Sequence, residues 1–338
     1  MTYDAHSNFS LPMEAGLFLT CSTLIPLALF GFFANAITTF VVIRSSKLRS
    51  TFNCLIASLC VSDLISAIIS PLNIYRRTWG YYNWEWSDFL CKMFWSIDTW
   101  TSYATSVHIF CFATLRFISV QWPIIYRRNK YSRACIYISV MWAVSFVAGF
   151  IPSCIWFKAR PRPPLPLEKG PSCHLDTKWK DEFNIYTWVV YSIFFYLAMI
   201  LIIVLSIMTI VKVKLSGKAT KEIRQRGNEN DRNNARREKK IILQLSLIVS
   251  SFLLGYIPRG IFHNTSIPPG PDIYGNWWFE FVTYLLLRIS ECLDPIFYNL
   301  GSRKIRLETT ALLKGIWLKV CALKKRIVSS TGHAQNSV

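Results

Sequence analysis

Residues 52–75 read FNCLIASLCVSDLISAIISPLNIY, a run of 24 in which Asp63 is the one charged side chain. A hydrocarbon core of roughly 30 Å needs about 20 apolar residues in a helix, so this stretch is long enough to cross one. Six others qualify: 17–43, 89–120, 134–157, 183–211, 241–262 and 277–300. Seven spans predict an all-α membrane protein, a helix bundle over 17–300 with its termini on opposite faces. Composition agrees, with 52% of the 338 residues hydrophobic and 17% charged, against about 25% charged in soluble domains. Residues 1–16 carry Asp4 and Glu14 and no basic start, so the first span reads as a membrane helix and not as a removable signal peptide.

Loop charge sets the orientation. With residues 1–16 outside the cell, 26 of the 38 Lys and Arg residues fall in inner segments and eight in outer ones. Six of those eight lie in 158–180 and run against the rule. The third inner loop, 212–240, is rich in Lys, Arg, Asn and Glu; it cannot bury a core, and either stays flexible or extends its two helices. The net charge of +19 then reflects orientation and attraction to acidic inner-leaflet lipids. Basic residues scattered over separate loops do not indicate a nucleic-acid partner. The sugar-acceptor triplets at Asn8 and Asn264 both fall on the outer side.

Of ten cysteines, Cys54, Cys60, Cys111 and Cys292 lie in apolar spans as small buried hydrophobes. Cys91 opens the third span and Cys173 lies in the second outer loop, both in an oxidising setting. A bridge between them is expected, worth about 4–5 kcal/mol in the chain-entropy model. No Cys/His cluster has metal spacing, so no metal site of that kind is expected. Residues 160–166, RPRPPLP, form a polyproline-like run. In the cytoplasmic tail, 301–338, the stretch 303–314 spaces Ile305, Leu307, Leu312 and Leu313 among charges, predicting a short amphipathic helix on the inner membrane surface. Cys321 in that tail is open to palmitoylation or stays a free thiol.

Taken in order, the spans resemble the rhodopsin-like G-protein-coupled receptors over residues 31–314. Gly-Phe-Phe-Ala-Asn ends at Asn35 and Leu-Cys-Val-Ser-Asp ends at Asp63. Cys91 is followed by Arg116 and Pro123, and Trp142 and Pro152 mark the fourth span. Phe252 and Pro258 mark the sixth, and Asp-Pro-Ile-Phe-Tyr runs from Asp294 to Tyr298 in the seventh. The resemblance implies a multi-pass plasma-membrane receptor, amino terminus outside, that relays an extracellular signal to heterotrimeric G proteins. It implies that Arg116 is the cytoplasmic switch, that Pro258 hinges the sixth helix, and that Asp294 and Tyr298 belong to the same machinery. It also places Asp63, Thr105 and Asp294 where family members hold a sodium ion. Glu291 adds a third acid at that level, and crowded carboxylates do not all ionise cheaply. An allosteric sodium ion or a shared proton is therefore expected there, with Asn35 and Ser290 in a hydrogen-bonded cluster. No other cofactor is expected.

Departures from the family pattern bear on restraint. Arg116 is flanked by Leu115 and Phe117, without the adjacent acid, leaving Glu238 as the second ionic partner. Ala198 replaces a usual proline, Ser206 a usual tyrosine and Tyr256 a common tryptophan. These changes predict raised ligand-independent signalling.

In the ligand pocket, Asp98 stands seven residues after Cys91, where aminergic relatives hold an ammonium group, and Arg288 stands across the bundle at similar depth. An unpaired charge in hydrocarbon is costly enough that the two should pair. An amine or peptide would then compete for Asp98 and an acid or lipid for Arg288, or no small ligand binds; the residues leave these open. Trp95, Tyr256 and Tyr284 are candidate pocket aromatics. Residues 47–59, KLRSTFNCLIASL, resemble the branch holding melatonin receptors, the medium-chain fatty-acid receptor and the insect Moody-type orphans. An opsin would need a lysine in 277–300, and there is none. An ion- or proton-coupled transporter could use Asp63, Asp98, Glu291 and Asp294, but leaves Arg116, Pro123 and the outer cysteine pair unexplained. No nucleophile–base pair points to an enzyme.

Overall fold

A computed structural model describes the backbone of residues 7–80, 84–128, 131–159, 172–223, 229–264 and 273–335. It describes side chains over 16–80, 84–126, 133–159, 172–215, 243–261 and 277–322. The first three spans are α1 (Ser7–Arg44), α2 (Thr51–Arg77) and α3 (Asp88–Gln121), followed by a short α4 (Pro123–Arg128). The fourth combines α5 (Tyr131–Ser145), a π-helical turn (Phe146–Phe150) and α6 (Ile151–Trp156). The strands β1 (Phe157–Ala159) and β2 (Cys173–Leu175) come next. The fifth span begins with α7 (Lys180–Tyr186), widens into a π-helical stretch (Thr187–Leu197) and continues as α8 (Ala198–Ile223). α9 (Glu229–Asn264), α10 (Ile273–Gly301) and α11 (Arg303–Gln335) complete the chain.

Among the described residues, six helices are long and apolar enough to cross a membrane on composition alone. α10 is the exception because it carries Glu280, Arg288, Glu291 and Asp294. All four are buried. Their burial places the charged face of α10 inside the bundle, against α9, α1 and α2. The outer wall is apolar in compensation, with Phe33, Ile136, Val147, Trp188 and Ile200 exposed. That polarity, apolar outside and polar within, is what a bilayer solvent demands.

Hydrogen bonds and close backbone approach knit the middle of the bundle. His108 Nδ1 faces the Ala104 carbonyl at 2.6 Å, and its Nε2 lies 2.7 Å from Ser58 Oγ. A carbonyl only accepts, so Nδ1 carries the proton and Nε2 accepts from Ser58. Ser58 in turn accepts from Trp142 Nε1 at 2.9 Å, joining the second, third and fourth spans. Where the π turn passes α3, a Cβ on Gly149 would sit 3.0 Å from Trp100 Cα and N. The widened fifth span offers its Phe194 carbonyl to Ser106 Oγ, a partner suited to a carbonyl in a π-widened ladder.

β1 and β2 pair antiparallel, Phe157 opposite Leu175 and Ala159 opposite Cys173. The Cys91–Cys173 bridge ties this hairpin to the head of α3. Trp95 stacks on Phe157 at 4.2 Å, so the hairpin lies over the pocket mouth. The tail helix, expected to be short, extends to Gln335; Ile305 is its buried anchor, while Leu307 and Leu313 are exposed. Cys321 is a half-buried free thiol on it. Asn8, Glu238 and Asn264 fall within helices, but their side chains lie outside the described residues, as does the run 160–166.

Gly149→Val overpacks the contact with Trp100. Its expected cost is about 1–3 kcal/mol, read as a lower melting temperature of the detergent-solubilised protein.

Candidate functional site

Arg288, on α10, reaches two acids at once. Its Nη2 donates to Asp98 Oδ1 on α3 at 2.7 Å and its Nη1 to Glu291 Oε2 at 2.6 Å. Arg288 and Glu291 are three residues apart and share one helix face. Ser66 of α2 donates to the same Glu291 oxygen at 3.0 Å. The triad thus joins three spans, and all three charged members are buried. In so dry a setting, a pair survives only with good geometry and further hydrogen bonds. Ser66 provides one.

A second ionic cluster lies beside the Cys91–Cys173 bridge. Arg76 Nη1 and Arg77 Nη2, from α2, donate to one oxygen of Glu280 at 2.9 and 3.1 Å. Arg76 Nε also donates to the Cys173 carbonyl at 3.1 Å, and Arg77 Nε to Asn73 Oδ1 at 2.6 Å. Arg77 and Arg288 both pack on the Tyr284 ring, 4.6 and 4.5 Å from its centroid, so this tyrosine joins the two clusters. In sequence, Arg76 and Arg77 read as loop charges. The signal for their partner was present: Glu280, a carboxylate inside the seventh span, requires one.

Beside the triad opens a cleft. Trp95, Asp98 and Tyr256 line it, with Tyr103, Tyr191 and Phe195 adding aromatic wall. Arg259, not singled out from sequence, lines it too. Arg288 and Tyr284 do not, so Asp98 is the triad member that reaches the cleft.

Deeper in the bundle, both Asp63 oxygens are buried without a hydrogen-bond partner. Thr105 Oγ1 lies 3.2 Å from Ser62 Oγ, and Ser290 Oγ accepts from Ser251 at 3.1 Å. Asn35 donates to its own helix, at Gly31 O. Glu291 gives one oxygen to Arg288 and Ser66.

Residues 34–298 match the model of the 7 transmembrane receptor (rhodopsin family). The chain belongs to that family. It is similar to growth hormone secretagogue receptor type 1 of Mustela putorius furo, at 27% identity over 90% of this chain and 82% of the relative. It is also similar to two Caenorhabditis elegans proteins. One is putative neuropeptide Y receptor 11, at 24% identity over 91% of this chain and 78% of the relative. The other is a neuromedin U receptor homolog, at 23% identity over 82% and 75%. These relatives correct the melatonin-like and Moody-like affinity read from 47–59. That segment is shaped by local helix-start chemistry: Ser50 caps α2 by accepting from Asn53 N, and Asn53 Nδ2 donates to Leu48 O. Such constraints recur at helix starts of any branch.

The G-protein-coupled receptor so identified is not an enzyme. Toward the C-terminal end of α3 the Arg116 guanidinium lies 3.6 Å from the Phe52 ring centroid. Phe52 meets Phe112 edge-on at 5.0 Å, and Phe112 approaches Tyr298 at 6.4 Å. Pro258 sits inside α9, and Asp294 and Tyr298 are buried on α10.

Arg288→Met would strand two buried carboxylates, whereas Asp98→Asn leaves Arg288 its bond to Glu291. Removing one partner of a buried pair costs about 3–5 kcal/mol, so the arginine variant should show the larger fall in melting temperature, measured on the solubilised receptor.

Proposed function

We propose that this receptor answers an extracellular peptide that presents a cationic group to Asp98. The observation that carries the reading is that Arg288 has two acidic partners. A ligand cation that takes Asp98 leaves Arg288 paired with Glu291, so no charge is stranded. An anion that takes Arg288 would strand Asp98 and Glu291 together in a dry interior. Asp98 also reaches the cleft while Arg288 stands behind it. A peptide ligand is supported by the relatives, whose names include neuropeptide Y and neuromedin U.

In this reading the receptor sits in the plasma membrane with residues 1–16 outside and 212–240 and 301–338 inside, as the loop charges favour. Asn8 and Asn264 carry sugars and Cys321 a palmitoyl chain. Loss of the Asp98 bond lets Arg288 and α10 shift, which bears on Asp294 and Tyr298 lower on the same helix. Asp63 and Asp294 hold a monovalent cation in the resting bundle, supported by the orphaned Asp63 carboxylate. Arg116, Glu238 and Pro258 form the switch and hinge that face the G protein. Leu115 in place of an acid raises ligand-independent signalling.

Screening of basic peptides by nucleotide exchange on G proteins should yield an agonist. Asp98→Asn should weaken it roughly 10- to 100-fold, the range of a charge-assisted hydrogen bond; unchanged potency would reject Asp98 as the cation site. Independently, Leu115→Asp should lower basal exchange per surface receptor, and an unchanged basal rate counts against the restraint argument.

A further inference from the structure

We infer that Phe52 is a positioning residue for the cytoplasmic switch: its ring face helps to hold the Arg116 guanidinium at rest. This goes beyond the ligand reading and does not depend on it. The face of an aromatic ring carries negative potential, so a guanidinium over it is attracted electrostatically as well as by packing. At 3.6 Å from the centroid, Arg116 is in van der Waals contact with that face. Among the described residues, no other cation–ring pair in this chain is so close.

The ring is held in place for this. Phe52 is the second residue of α2, two after the Ser50 cap, and is 9% exposed. The Asn53 side chain ties the same turn back to Leu48 O at 2.8 Å. On its other side the ring meets Phe112 edge-on, with planes at 69°. Phe112 lies one helical turn before Arg116 on α3, so one face of α3 presents both groups to Phe52. Phe112 also neighbours Tyr298. A displacement of the seventh span at Tyr298 therefore reaches Phe52 through a single ring. The same residue that receives this motion holds the switch.

A neutral ring also makes a different restraint from a carboxylate. An exposed ion pair is screened by salt, while a packed ring contact depends on the face of the ring remaining electron-rich. That property can be altered without altering shape.

The test is basal nucleotide exchange on G protein, per receptor counted at the cell surface, in the full chain. Phe52→Leu and incorporation of pentafluorophenylalanine at position 52 should each raise it about three- to tenfold, the shift expected for a contact of this class. Phe52→Tyr should stay at the parent value. In a Leu115→Asp background, which adds a carboxylate beside Arg116, the effect of the fluorinated ring should shrink. If the leucine variant does not reach the surface, the fluorinated ring decides, since it preserves shape and reverses the face potential. Parent-level or lower exchange with the fluorinated ring overturns the proposal and leaves Phe52 as packing only.

Discussion

A charge inside a bilayer needs a counter-charge, and the architecture of this receptor follows from how its seventh helix meets that demand. α10 brings Glu280, Arg288, Glu291 and Asp294 into the bundle. Arg288 resolves three of the buried charges through Asp98 and Glu291, and Arg76 and Arg77 resolve Glu280. Arg288–Asp98 and both Glu280 pairings cross between helices, while Arg288–Glu291 lies within α10. The bonds that neutralise charge are therefore also the bonds that set where α2, α3 and α10 stand relative to one another. Helix association in lipid has little hydrophobic drive, so polar contacts carry a larger share of the specificity than in a soluble core.

The two ionic clusters are not independent. Tyr284 packs against a guanidinium from each, and Arg76 reaches the Cys173 carbonyl in the outer hairpin. The disulfide-anchored lid, the Glu280 cluster and the Arg288 triad form one connected path. Asp98 is where that path opens to the cleft. A ligand acting at Asp98 acts on a network whose other end is the helix bearing Asp294 and Tyr298.

Around Arg116, aromatic rings take part in the contacts. Leu115 removes the neighbouring acid, and the side chain that meets Arg116 face-on is Phe52. Phe112 and Tyr298 continue that contact toward the seventh span.

The sequence by itself determined the seven spans and the Cys91–Cys173 bridge. Span length against bilayer thickness and an oxidising outer face are local properties that need no fold. It also required Asp98 and Arg288 to find partners, because a lone charge in hydrocarbon is too costly. Tertiary structure alone decided which partners they found. Glu291 meets Arg288 because both stand on one face of α10, beside Ser66. Glu280 meets Arg76 and Arg77 because α2 and α10 converge beside the Cys91–Cys173 bridge, a proximity across some 200 residues that no local pattern encodes. The Phe52 contact likewise depends on how α2 packs against α3. Sequence motifs state that a charge must be matched; only the crossing of helices states by what.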